Sequence, residues 1–118
     1  MYDCELLKVE EHFLLQNIGL IVTPDFSVPE IEKWNDFKTE ARVVYPEGVE
    51  SIQKAYARIW HFNIRDPEVS INKRWRVVLS FPDSDKQQIP IGSLIFVSED
   101  VYSSIRGKHA YHARHNPQ

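Results

Sequence analysis

The sequence holds a single cysteine, Cys4, in 118 residues, so no intramolecular disulfide can form and a disulfide scaffold is excluded. Such a chain suits a reducing compartment, and a cytoplasmic location is the expectation. Cys4 stands between Asp3 and Glu5, whose charges oppose thiolate formation; it reads as a small strand residue, not a nucleophile. Long apolar runs are missing. The stretch 18–22 (Ile-Gly-Leu-Ile-Val) is far shorter than the roughly 20 residues a membrane helix needs, and no membrane partner is expected. The start, Met1-Tyr2-Asp3-Cys4-Glu5, is acidic and lacks the basic region of a secretory leader. An excess of positive charge is missing too. Fourteen Lys plus Arg against 17 Asp plus Glu give a net charge of -3, which argues against a protein held to nucleic acid by bulk charge and leaves only a local basic patch open. No Gly-x-Ser-x-Gly, His-Glu-x-x-His or Cys-x-x-Cys pattern occurs, so none of these catalytic or metal-binding signatures is available.

What is present is ordinary globular composition: 42% apolar and 26% charged residues. The length fits one domain able to bury a core without disulfides or metals. A single domain is expected over residues 1–107, followed by a polar, histidine-containing tail over 108–118.

The dominant hydrophobic period is two. Over 55–62, Ala55, Ala57, Ile59 and His61 share one face of an extended chain, and Tyr56, Arg58, Trp60 and Phe62 share the other. Over 74–81, Trp75, Val77, Leu79 and Phe81 form an apolar face; Arg74, Arg76, Val78 and Ser80 form a mostly polar one. Residues 40–45 make a shorter strand, then Pro46-Glu47-Gly48 turns the chain back into a hairpin. Residues 4–9 and 13–22 supply one or two more strands, with Gly19 as a bulge. Pro90-Ile91-Gly92 leads into a final strand at 93–97. Helical spacing of Ile31, Trp34 and Phe37 suggests a short helix after Pro29. A second helix is predicted from the cap residue Ser98, with acids in its first turn, an apolar stripe at Val101, Tyr102 and Ile105, and Gly107 to end it. The expectation is a mainly β chain: one small antiparallel β-barrel of about six strands with one or two short helices.

Three runs carry a resemblance: Glu40-Ala41-Arg42-Val43-Val44-Tyr45-Pro46-Glu47-Gly48, Ala55-Tyr56-Ala57-Arg58-Ile59, and Ile89-Pro90-Ile91-Gly92-Ser93-Leu94-Ile95-Phe96-Val97. In this order they resemble the small β-barrels of Tu-type translation elongation factors, over roughly residues 6–97. In those barrels a strand, a turn and a returning strand precede a Pro-x-Gly step into a further strand. No Gly-rich phosphate loop precedes the barrel in this sequence, and no GTPase domain is expected with it. The resemblance implies a docking surface for RNA or protein, not a catalytic centre.

Four groups of residues are candidates for chemistry. Arg58, Trp60, Arg74 and Arg76, with Phe62 and Trp75 nearby, combine rings that stack on bases with guanidiniums that meet phosphates; the plain alternative is an inward Trp75 and solvated arginines. His109, His112 and His115 recur every third residue and suit zinc, copper or nickel, but Lys108 and Arg114 oppose a cation there, and a solvated tail is the plainer reading. Asp83 and Asp85, and Glu99 with Asp100, are paired carboxylates in predicted turn and cap positions, where solvation or helix N-terminal charge accounts for them. His61 has no nucleophile motif around it and reads as a hydrogen-bonded strand residue.

The leading expectation is therefore a non-catalytic protein-interaction module with no cofactor. Bacterial barrels of this size can act as accessory or toxin-neutralising proteins, and acids in predicted loops, such as Asp25, Glu47 and Asp66, suit a basic protein partner. The alternatives are single-stranded nucleic-acid or RNA binding through Arg58, Trp60, Arg74 and Arg76, and metal or small-ligand binding by His109, His112 and His115. A homodimer through an exposed strand edge is a further expectation.

Overall fold

Alternation of small or branched apolar residues with polar ones drives several stretches of this chain into strands. The structure, a computed structural model, describes residues 1–29, 33–61 and 75–107. Ile31, Phe62, the connection 63–73, Arg74 and the tail histidines His109, His112 and His115 lie outside the described residues. Among the described residues seven strands form: β1 (Cys4–Lys8), β2 (Glu11–Leu15), β3 (Gly19–Ser27), β4 (Phe37–Val44), β5 (Glu50–His61), β6 (Trp75–Phe81) and β7 (Leu94–Val97). An α-helix, α1 (Glu99–Arg106), follows β7. The strands make one antiparallel sheet in the order β1-β7-β4-β5-β6-β3-β2, curled into a half-barrel.

The two ends of the sheet are consecutive in the chain, which explains the curl. Val9 exchanges backbone hydrogen bonds with the 92–93 segment: its N–H donates to the Ser93 carbonyl and its own carbonyl accepts from Gly92, both at 2.8 Å. The next residue, Glu10, donates instead to the Thr23 carbonyl at 2.9 Å. One extended segment thus pairs with the β7 side in its first half and with β3 in its second. The chain itself bridges the gap that a flat sheet would leave open.

The interior follows the alternation. Ala41 and Val43 of β4, Ala55 and Ala57 of β5, and Val77, Leu79 and Phe81 of β6 are buried, each set two residues apart. Small alanines mixed with bulky rings let the inner face taper. In β1 a register shift between Glu5 and Leu7 allows the successive residues Leu6 and Leu7 both to bury. Each such side chain removed from water contributes about 1.5–3 kcal/mol before entropy is counted.

Helix α1 packs against β1 and β3 through buried Tyr102 and Ile105. Ser98 caps it, its Oγ accepting from the Val101 N–H at 3.3 Å, and Gly107 ends it at φ 86. These are the capping residues expected from the sequence.

The seven strands among the described residues agree with the expected small antiparallel barrel of about six. Two local expectations need correction. Gly19 is not a bulge within a strand over 13–22. Those residues hold a turn, with Asn17 at φ 68 and Gly19 at φ 102, that joins β2 to β3. The register shift in β3 falls instead between Val22 and Phe26. Finally, Phe37 is not the end of a helix; it opens β4 and pairs with Ala57, so ladder formation outcompetes its helical spacing from Trp34. No helix among the described residues is long and apolar enough to cross a membrane.

Candidate protein-interaction surface

The outer face of β2, β3, β6 and β5 carries the least expected arrangement. Cross-strand partners set its rows. Phe13 lies opposite Ile21, Ile21 opposite Ser80, and Ser80 opposite Tyr56. One row over, Val78 lies opposite Arg58, and Trp60 opposite Arg76. Between these rows runs a groove of about 370 Å³, within the usual size of a ligand or peptide cleft. Its apolar wall is Phe13, Leu15, Ile21, Val78 and Trp60, and its polar end holds Thr23 and Asp25.

One wall of the groove is a sheet edge. Among the described residues, strand β2 has β3 as its sole neighbour in the sheet. Its side chains alternate normally in direction: Glu11, Phe13 and Leu15 stand on the outer face with Ile21 and Thr23, while His12 and Leu14 stand on the inner face with Val22 and Leu20. Yet both faces are apolar and open. Phe13 is 46% exposed, Leu15 37% and Leu14 56%. Leu14 points to the core side but lies beyond what the core covers. His12 donates from Nδ1 to the Ile89 carbonyl at 2.9 Å, which ties the strand's middle to the 82–93 segment.

The polar end is internally matched. Arg76 Nε donates to Asp25 Oδ2 at 2.9 Å, and its Nη1 donates to Ser27 Oγ at 3.1 Å. Glu11, exposed and opposite Thr23 on the same outer face as Phe13, has no ion pair among the described residues.

Of the sequence-selected residues, Arg58, Trp60 and Arg76 do share this outer face, and Trp60 lines the groove. The two arginines differ in how they are held. Arg76 holds Asp25, and Arg58 lies with its guanidinium 4.3 Å from the Tyr56 ring centroid, its Nε buried without a hydrogen-bond partner. Trp75 belongs to the opposite, core-directed set of β6. Arg74 and the three tail histidines lie outside the described residues.

The carboxylate candidates have local roles. Asp85 Oδ1 accepts from the Gln87 and Gln88 N–H groups at 3.0 and 3.1 Å, shaping the 82–88 turn. Asp83 lies 3.9 Å from Lys54 Nζ, and Ser84 Oγ donates to Gln53 Oε1. Glu99 and Asp100 occupy the first turn of α1, where they complement its dipole. Cys4 is a core residue.

Sequence reasoning missed Phe13, Leu14 and Leu15 as a surface. The signal was there: three consecutive apolar residues break the alternation of a strand with one buried face. Comparisons with protein families, with curated proteins and with solved structures find no match to this chain.

Proposed function

We propose that this chain is a non-catalytic protein-binding module that takes an extended segment of a partner protein along β2, with alternate side chains of that segment in the adjoining groove. The observation that carries this reading is an edge strand whose apolar side chains are open on both faces at once, Phe13 and Leu15 outside, Leu14 inside. A long-lived soluble domain normally blunts such an edge with charge, proline or a covering loop. Strand addition satisfies the edge backbone and buries both faces together. The resemblance to Tu-type barrels, which dock macromolecules on their faces, points the same way.

The same outer face holds Arg58, Trp60 and Arg76, the basis of the nucleic-acid alternative. Protein is favoured because Arg76 is paired with Asp25, Arg58 lies over the Tyr56 ring, and the groove beside Trp60 is apolar.

Amide chemical-shift mapping tests the choice. Extended peptides with alternating apolar residues should shift signals of β2, β3 and the Trp60 indole, and Phe13→Asp should abolish the shifts. Binding of a single-stranded RNA oligonucleotide at low salt through Arg58 and Trp60, with no peptide response, would replace this reading with the nucleic-acid one.

A further inference from the structure

We infer that the β2 edge selects an antiparallel partner strand of defined chemistry: three successive apolar residues, then a polar residue, then a lysine or arginine that meets Glu11. This inference rests on the strand-docking reading above and adds the identity of the segment.

The direction follows from the sheet. Every ladder in it is antiparallel, and antiparallel pairing is the more stable per residue. An incoming strand then meets Leu15 first, followed by Leu14, Phe13, His12 and Glu11. Opposite Leu15 and Phe13 its first and third residues lie on the groove face, where only apolar side chains bury without loss. Its second residue faces Leu14, which is 56% exposed on the inner side, so it too gains by being apolar. The fourth faces His12, whose Nδ1 is held by the Ile89 carbonyl, and sits in a polar setting.

The fifth position carries the charge preference. Glu11 is exposed and on the groove side of β2, with no ion pair among the described residues. Of the other acids at that end, Asp25 is already matched by Arg76 at 2.9 Å, and Glu10, one residue before Glu11 in the extended segment, is directed to the side away from the groove. Glu11 is therefore the uncompensated charge that a docking strand would lie against, and a cation completes it. Directly opposed unlike charges in a ladder favour pairing and like charges oppose it.

The probe is the blocked heptapeptide acetyl-Thr-Val-Val-Ile-Thr-Lys-Thr-amide, titrated into the full chain beside the same peptide with Glu in place of Lys and beside its reversed sequence. The Lys peptide should bind about three- to ten-fold more tightly than the Glu peptide, the span expected when an attractive cross-strand pair becomes a repulsive one. Glu11→Lys should invert that order while leaving thermal stability unchanged. Equal binding of Lys and Glu peptides, or preference for the reversed sequence, overturns the inference and leaves strand docking at β2 standing. Self-association by sedimentation that is lost in Phe13→Asp also overturns it, because a second copy then fills the edge. Failure of all three peptides to perturb β2 in a monomeric protein removes both the inference and the docking reading.

Discussion

Arg76 donates from Nε to the Asp25 carboxylate at 2.9 Å, tying β6 to the irregular stretch of β3 at the polar end of the groove. Both side chains are partly exposed, so solvent screens the pair. Arg76→Ala removes this bond and the one to Ser27 and should cost about 1 kcal/mol in urea unfolding. It should also enlarge the preference for the Lys peptide, because Asp25 then joins Glu11 as an unmatched acid.

Gly19 separates close packing from backbone conformation as causes of glycine use. It sits at φ 102 where the β2–β3 turn crosses β6, and a Cβ there would meet Phe81 O and Pro82 Cα at 2.5 Å. Gly48 has a similar φ of 96 in the β4–β5 turn, yet a Cβ would meet nothing within 4 Å. Gly48→Ala should cost about 1 kcal/mol from positive φ alone, whereas Gly19→Ala should cost roughly 2 kcal/mol or more. Equal losses in paired thermal melts would contradict the packing at Gly19.

Helix α1 is held at both levels of structure. Ser98→Ala removes the cap on Val101 and should destabilise by about 1 kcal/mol. Ile105→Ala empties a fully buried site against the barrel and should cost about 2–5 kcal/mol. Urea titrations of the two variants check the order, Ile105→Ala the larger.

Much of this fold is legible in local pattern. The faces of β5 and β6, with Ala55 and Ala57 inward and Arg58 and Trp60 outward, follow directly from period two. Helix α1 is legible down to its caps, since Ser98 and Gly107 act on neighbours three or four residues away. What depends on remote contacts is not legible. Phe37 has helical spacing from Trp34 but is recruited by Ala57, twenty residues on. Asp25 and Arg76 are separated by 51 residues, and nothing local announces their pairing. The β2 edge is legible only in part: the run Phe13, Leu14 and Leu15 breaks the alternation, but the sheet order that leaves their strand at the margin is set by remote contacts.

Backbone hydrogen exchange at β2 tests the docking of a strand there most directly. In the free protein the edge-facing amides of Glu11–Leu15 should exchange quickly, as an open sheet margin does. With the Lys heptapeptide near saturation, those amides should slow by about ten-fold or more while amides deep in the β4–β5 ladder keep their rates. Unchanged exchange throughout Glu11–Leu15 in the peptide-saturated protein would contradict strand docking at this edge.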